Sequence, residues 1–261
     1  MAPLRILSLG WGVQSWTLAA MVALKELPAV DYAIHADTGH EMSGTYAHAK
    51  KWTPWLEERG VEVVTVHGRR TEVVVQEWSD SVNIPAFTLN SLTGSRGQVM
   101  RQCTNLWKIQ PIRRFIRTII PNPKPGDVEC WQGISLDEWH RMRTSDVAYI
   151  VNVYPLVDRR ITREGCVAWL QKEGLDVPPK SACTFCPFKS ISSWKELKRQ
   201  GGPDWEEAVA VDKAIRSKRP PHDLFVHPAR RPLAQAVTIP EDFGAEQLEL
   251  EIPCDGGVCF V

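Results

Sequence analysis

Residues 4–15 read Leu4-Arg5-Ile6-Leu7-Ser8-Leu9-Gly10-Trp11-Gly12-Val13-Gln14-Ser15 and decide the fold. The apolar run of residues 4–7 predicts a buried strand over Leu4–Ser8, and a helical pattern begins directly after Gly12. A strand end, a glycine turn and a helix N-terminus with a hydroxyl at Ser15 together form an anion cradle, because free amides and the helix dipole point at the same place. The stretch therefore predicts a nucleotide-phosphate loop, for which a plain tight turn is the alternative.

The pattern that follows this loop predicts alternating helices and strands. We expect helices over residues 14–27 and 44–59 and strands over residues 31–36 and 61–66. This β-α-β-α-β order favours an α/β fold with a doubly wound parallel sheet, in which ligands bind at the carboxyl ends of the strands. The loop after the first strand lies at such an end.

The rest of the chain predicts one further strand, several helices and a second, smaller region. We expect a strand over residues 128–132 and helices over residues 109–119, 161–173, 192–199 and 204–218. Residues 79–100 lack periodicity and predict a mobile loop, and the tail after the last helix reads as irregular. The predicted domains are a nucleotide-binding α/β domain over residues 1–180 and a cysteine-containing helical region over residues 181–261.

Length and charge limit the classes of function. The 261 residues contain 31 Lys and Arg and 31 Asp and Glu, so no global basic field predicts tight nucleic-acid binding, although local patches are not excluded. No apolar run reaches the ~18 residues of a membrane span. We expect a cytoplasmic protein without a membrane partner, in which the seven cysteines include metal or redox ligands rather than a disulfide framework.

Two further turns follow predicted strands and extend the candidate site. Asp37-Thr38-Gly39 suits contacts to ribose or adenine or an indirect hold on a phosphate-bound metal, with a helix cap as the alternative. In the segment from Gly133 to Arg141, Glu138 and Arg141 lie one helical turn apart, so the arginine could reach a phosphate or sulfate. A surface ion pair is the alternative for that segment.

These motifs resemble the phosphoadenosine-phosphosulfate (PAPS) reductase-like branch of the PP-loop ATP pyrophosphatase superfamily. Its usual loop is Ser-Gly-Gly-x-Asp-Ser, from which this chain departs at Gly10, Trp11 and Gln14. The resemblance continues through Ala-Asp-Thr-Gly-x-Glu at 36–41, Thr-Tyr at 45–46, the segment at 133–141, and Tyr-Pro-Leu-Val-Asp at 154–158 with Ile-Thr-Arg at 161–163. It covers about residues 4–233.

The resemblance implies a set of functional residues. The predicted nucleotide-binding residues are Ser8, Gly10, Trp11, Gly12, Val13, Gln14, Ser15, Asp37, Thr38, Gly39, Gly133 and Ser135. The predicted catalytic residues are Gln14, Ser15, Glu138 and Arg141. ATP and Mg²⁺ are the implied ligands.

The cysteines predict a separate site. Cys183 and Cys186 form a CxxC turn, Cys103 precedes a basic helix, and the tail adds Cys254 and Cys259. A tetrahedral thiolate site needs two converging units. The predicted ligands are Cys103, Cys183 and Cys186 with a fourth from the tail, for which we take Cys259 and keep Cys254 as the alternative. They resemble the [4Fe-4S] arrangement of sulfur-transfer enzymes, with structural zinc, a redox dithiol or buried inert thiols as alternatives. Cys130 and Cys166 fit core positions.

The implied activity is cleavage of ATP at the α-phosphate, releasing pyrophosphate or AMP. It would serve sulfur transfer to a tRNA, DNA or small-molecule acceptor, with a sulfur donor protein as partner, or an accessory or defence role. A PAPS or adenylylsulfate reductase is the first alternative, although the C-terminal Glu-Cys-Gly-hydrophobic-His segment of those enzymes is missing. A non-catalytic nucleotide-sensing or nucleic-acid-binding module is the second.

Overall fold

The predicted α/β sheet is confirmed in a computed structural model, which describes residues 2–68 and 82–239. Its five strands are β1 (Leu4–Ser8), β2 (Tyr32–Asp37), β3 (Val63–His67), β6 (Val128–Trp131) and β7 (Ile150–Val153). They are parallel and lie in the order β3-β2-β1-β6-β7. Because β1 is central and the chain order reverses between β1 and β6, the crevice at the carboxyl ends of these two strands is the expected ligand position.

Helices cover both faces of this sheet. The helices of this unit are α1 (Val13–Ala23), α2 (Ser43–Glu57), α3 (Gln110–Ile119), α4 (Pro155–Asp158) and α5 (Arg163–Lys172). One core cluster joins β1 to α1, α2 and α5, and it contains the buried Cys166. Another contains Ile6, Cys130 and Ile116 of α3. The two clusters make the sheet doubly wound, and they confirm Cys130 and Cys166 as core residues.

Burial fixes the protonation state of these two core cysteines. It raises the pKa of Cys130 to about 12 and that of Cys166 to about 11. Both side chains are therefore thiols at neutral pH rather than thiolate ligands.

The chain divides into two compact units. The first contains residues 2–68 and 106–182 of the described chain, and the second contains residues 82–105 and 183–239. The sequence-based division into residues 1–180 and 181–261 stays a prediction.

The second unit has its own sheet and helices. Its antiparallel sheet has the order β5-β4-β8, with β4 (Phe87–Asn90), β5 (Arg96–Gln98) and β8 (His222–Phe225). Its helices are α6 (Ile191–Gln200), α7 (Gly202–Ile215) and α8 (Leu233–Ala236). No helix in the described ranges combines the length and apolar character that crossing a bilayer requires.

Two regions predicted to be irregular contain secondary structure. The loop predicted over residues 79–100 includes the β4–β5 hairpin, while residues 79–81 lie outside the described residues. Its turn is closed by a hydrogen bond from Gly94 N to Asn90 O of 2.8 Å, with Gly94 at a φ of 71°. The tail, predicted to be irregular, contains β8 and α8. These strands are too short for a periodic signal, and they form because they pair with each other.

An aromatic cluster surrounds the start of α1. Trp16 packs against His48, Trp52 and Trp55 at ring-centroid distances of 5.2, 5.1 and 5.8 Å. Trp11 joins the cluster at 5.9 Å from both Trp16 and His48. Burial lowers the pKa of His48 to about 4 from 6.5. His48 is therefore neutral in the folded protein above that pH.

We expect His48 to make stability depend on pH. Between pH 6.5 and 4 the unfolded chain protonates this side chain while the folded protein does not, so the free energy of unfolding falls as the pH is lowered through that window. In urea titrations, His48→Phe should weaken this fall without abolishing it, because burial also lowers the pKa of His35 and of His227, and these side chains supply the remainder. The exposed His140→Phe is the control. A pH profile of His48→Phe identical to that of the parent protein would contradict the assignment.

Candidate functional site

The loop between β1 and α1 lies at the carboxyl end of the central strand. Gly12 is the N-cap of α1, and no side chain caps the helix. The first backbone bond of the helix runs from Trp16 N to Gly12 O at 2.9 Å, so the amides of residues 13–15 precede the intrahelical ladder. The first turn contains no acidic residue. The positive end of the helix dipole is therefore available to an anion.

Hydrogen bonds fix the shape of this loop. Ser15 Oγ accepts from Gly10 N at 3.2 Å and donates to Gly12 O at 3.3 Å. From the far end of the same unit, Ser181 Oγ donates to Gly10 O at 2.6 Å. Sequence reasoning did not identify Ser181, because 171 positions separate it from its partner.

Trp11 holds an unusual backbone position in the loop. Its φ is 55°, in the left-handed region that favours glycine, and its side chain is only 1% exposed. Packing of the indole against Trp16 and His48 stabilises this conformation in place of the glycine of the usual motif. Its predicted nucleotide-binding role is therefore limited to its main chain, since the indole is buried in the aromatic cluster.

The predicted segment after β6 lies directly against the loop. A Cβ on Gly133 would be 2.7 Å from Ser15 N and 2.9 Å from Ser15 Cα, so the two backbones meet where only glycine fits. Ser135, two residues further, is fully buried. The structure thus brings the predicted residues at the ends of β1 and β6 together.

Gly133→Ala is expected to lower the free energy of unfolding by about 1–3 kcal/mol, because the added methyl group overlaps rigid backbone at the start of α1. Gly12→Ala is the matched control, since its Cβ would be 3.6 Å from Ser181 Cβ, an ordinary contact. Urea unfolding of both variants gives the comparison. Equal stability of the two would contradict the close approach.

A polar chain links the loop to the same segment. Gln14 Nε2 donates to Glu138 Oε2 at 3.1 Å, and Arg141 Nη1 donates to the same oxygen at 2.5 Å. Arg141 is 8% exposed. An aspartate at position 14, as in the usual motif, would face Glu138 with like charge, so Gln14 and Glu138 form a matched pair. The predicted catalytic residues Gln14, Glu138 and Arg141 therefore form one connected group.

The motifs at 154–163 position this segment rather than extend the site. Tyr154 Oη donates to Arg143 O at 2.5 Å and accepts from Arg143 N at 2.8 Å. Asp137 Oδ1 accepts from Arg163 N at 2.8 Å, and Thr162 Oγ1 caps α5 by accepting from Gly165 N at 3.0 Å. These contacts hold the turn that carries Glu138 and Arg141.

The turn after β2 forms a second polar group. Asp37 Oδ1 accepts from Gly39 N at 2.8 Å and from Tyr46 Oη at 2.7 Å. Partial burial alone would raise the pKa of Asp37, but these two hydrogen bonds outweigh it and lower the pKa below its usual value. Burial, followed by the bond to Asp37, raises the pKa of Tyr46. Asp37 is thus a carboxylate and Tyr46 a neutral donor at neutral pH.

Sequence reasoning did not identify the buried ion pair beside this turn. Glu41 Oε1 is 3.1 Å from Lys108 Nζ, and Glu41 is 4% exposed. Thr38 is fully buried. Burial lowers the pKa of His35, whose Nδ1 lies 3.1 Å from Leu9 O. The Glu41–Lys108 pair therefore places buried charge beside the end of β2.

The predicted cysteine site is not assembled in the described part of the chain. Within residues 2–68 and 82–239, no three His, Cys, Asp or Glu side chains are grouped so that they could hold a metal ion. Cys103, Cys183 and Cys186 are partly exposed and belong to the second unit. Cys254 and Cys259 lie outside the described residues.

Comparison with known proteins gives similarity to solved structures alone. No protein-family model matches the chain, and neither does any curated protein. Among solved structures, it is similar to the phosphoadenylyl-sulfate (PAPS) reductase from Candida auris in its phosphate complex, with a TM-score of 0.44 and 14% sequence identity. The similarity covers 67% of this chain and 75% of that one. The chemistry of the site follows from this chain's own contacts.

Proposed function

We propose that this protein is an enzyme that binds ATP on the loop between β1 and α1 and cleaves it at the α-phosphate. The uncapped N-terminus of α1 at the carboxyl end of the central strand carries the proposal. The amides of residues 13–15 and the Ser15 hydroxyl bind the β- and γ-phosphates. Main-chain amides suit this task because they are fixed in place and carry no negative charge.

In the proposed reaction, an oxygen of water or of an acceptor attacks the α-phosphorus. The bond from that phosphorus to the bridging oxygen breaks, and pyrophosphate leaves with the electron pair. The amides of α1 stabilise the charge that develops on the leaving group, and the guanidinium of Arg141 adds positive charge beside Gln14 and Glu138. Attack by water gives AMP.

Asp37 is the residue that we assign to a phosphate-bound Mg²⁺. Its low pKa keeps it ionised, and its Oδ1 is oriented by Gly39 N and Tyr46 Oη. Phosphate-bound Mg²⁺ needs only one or two protein carboxylates, so a larger ligand group is not required. When bound with ATP, the ion supplies positive charge to the phosphates.

The test is product analysis with separate nucleotides. ATP labelled at the α-phosphate is expected to give AMP or an adenylated acceptor together with pyrophosphate. PAPS or adenylylsulfate offered with thioredoxin is expected to give no sulfite. Sulfite formation would support the reductase instead, and nucleotide binding without turnover would support a sensing module.

We further propose that the adenylated product serves sulfur transfer, because adenylation of an oxygen permits its replacement by sulfur. The acceptor is then a tRNA, DNA or small-molecule group, and a sulfur donor protein is the partner. Product analysis with a sulfide source and candidate acceptors tests this step. Hydrolysis to AMP that no acceptor redirects would point to the accessory or defence role.

The cysteine site is proposed from the sequence and has its own test. Anaerobically purified protein is expected to contain about four irons per chain and to absorb near ~400 nm, as Cys-ligated [4Fe-4S] proteins do. Cys183→Ser should reduce both signals, while Cys166→Ser, at a buried core position, should leave them unchanged. Colourless protein that contains zinc would replace the cluster with a zinc site, and metal-free protein would remove both.

A further inference from the structure

Five consecutive main-chain amides of the loop between β1 and α1 are available to a ligand. Gly10 N is engaged with Ser15 Oγ at 3.2 Å, and the helical ladder begins at Trp16 N, which donates to Gly12 O at 2.9 Å. Between these two bonds, the amides of residues 11–15 donate no hydrogen bond to any residue in the described ranges. Successive amides at a turn form a concave anion site. The direction of each N–H therefore decides whether it contributes to phosphate binding.

The first of these amides belongs to a peptide group that is held from outside the loop. Ser181 Oγ donates to Gly10 O at 2.6 Å, and Gly10 O shares its peptide group with the amide of Trp11. This peptide bond is trans, so its N–H points away from its C=O. The bond from Ser181 therefore fixes the direction of the Trp11 amide, which points away from the Ser181 hydroxyl.

The observed direction of this peptide group is not the one that the local backbone favours. Rotation of the group by half a turn changes ψ of Gly10 and φ of Trp11, and it takes φ of Trp11 from 55° into the extended region that any residue adopts. Gly10 does not oppose the rotation, because it has no side chain. In the rotated form, the carbonyl oxygen would take the place of the amide. The bond from Ser181 opposes this exchange.

Ser181 is presented by a segment that is itself tied down, which we call the strap and define as residues 176–182. At one end, Asp176 O accepts from Trp16 Nε1 at 3.1 Å. At the other end, Ala182 O accepts from Met42 N at 3.0 Å, in the connection between β2 and α2. All these residues belong to the first unit. The Ser181 hydroxyl therefore reaches the loop from a fixed backbone.

We propose that Ser181 is a positioning residue of the phosphate site, which keeps the amide of Trp11 directed at the bound phosphate by holding Gly10 O. The Trp11 amide then adds one donor to the amides of residues 13–15. Ser181 does not contact the ligand, because its hydroxyl proton is used on Gly10 O. The inference rests on the proposed binding of phosphate by this loop, but it does not depend on the cleavage step.

The test observes this one peptide group by nuclear magnetic resonance. Gly10–Trp11 is the only Gly-Trp pair in the sequence, so protein with ¹³C at the glycine carbonyls and ¹⁵N in tryptophan gives a single carbonyl–amide signal. Inorganic pyrophosphate should move the Trp11 amide proton downfield in the parent protein. Ser181→Ala should abolish this shift and weaken pyrophosphate binding about 10-fold or more, because a hydrogen bond to a charged group is lost. Ser181→Thr, which keeps the hydroxyl, should restore both.

The matched control removes a similar bond in the second unit. Ser91 Oγ donates to Pro221 O at 2.9 Å, and Ser91→Ala should bind pyrophosphate like the parent protein. Circular dichroism checks each fold, and Ser181→Cys, which keeps the size but donates weakly, replaces Ser181→Ala if the latter does not fold.

Two kinds of result would overturn the inference, and they are distinguishable. An unchanged Trp11 shift and affinity in Ser181→Ala, or equal losses in Ser181→Thr and Ser181→Ala, would remove the role of the Ser181 hydroxyl and leave the phosphate loop in place. No response of the Trp11 signal in the parent protein at saturating pyrophosphate would remove the phosphate site together with the inference.

Discussion

Combining Gly12→Ala with Ser15→Ala is expected to reduce ATP cleavage by about 100-fold or more. The methyl group at position 12 projects beside the amides that bind phosphate, and the loss of the Ser15 hydroxyl removes the bond that fixes Gly10 N at 3.2 Å. Loss of one preorganised donor of this type costs about 100–1,000-fold in rate. A fixed-time assay for pyrophosphate gives the number.

The fold should survive these two substitutions. A Cβ at Gly12 makes only an ordinary contact of 3.6 Å with Ser181 Cβ. Thr17→Val is the matched control, because Thr17 Oγ1 donates to Val13 O at 2.8 Å on the same helix but lies in the buried core. Unchanged kinetics in the double variant, with Thr17→Val also unchanged, would remove the phosphate assignment from this loop.

Glu138→Ala should have the largest effect on stability, about 3–5 kcal/mol in the free energy of unfolding. It leaves the buried guanidinium of Arg141 without its carboxylate and Gln14 without its acceptor. Removing one partner of a buried ion pair costs this much because the other charge stays desolvated. Urea unfolding monitored by circular dichroism measures it.

The half-exposed pair Arg5–Glu129 provides the comparison, with an Nε–Oε2 distance of 2.9 Å. Glu129→Ala should cost about 1 kcal/mol or less, because solvent screens this pair. Adding Arg141→Met to Glu138→Ala should recover part of the lost stability, since the unpaired charge is then gone. Equal costs for Glu138→Ala and Glu129→Ala would mean that Arg141 is solvated.

The strands of the first unit could be predicted from sequence because each is a short apolar run followed by a turn. The bounds of β1 were predicted as observed, and β6 ends one residue earlier than predicted. The helix predicted over residues 14–27 ends at Ala23, because Lys25 adopts a φ of 63° and residues 24–27 form a turn. Apolar periodicity does not report such a backbone reversal.

The contacts of the site were harder to predict than its residues. The resemblance identified Gly133 and Ser15 separately, but only the packing of β6 beside β1 shows that their backbones touch. The bond from Ser181 to Gly10 and the Glu41–Lys108 pair depend on distant segments that no local pattern connects. The hairpin of the second unit was missed because cross-strand partners, rather than its own sequence, form it.

The buried side chain of Trp11 holds the loop in one shape. An indole anchored among other rings, rather than the freedom of a glycine, sets the backbone at φ 55°. Such a segment has its final shape before any ligand arrives, so association should require little ordering of the chain. Calorimetry should then show a small unfavourable entropy for ATP, and Trp11→Gly, which frees the main chain, should make that entropy more unfavourable.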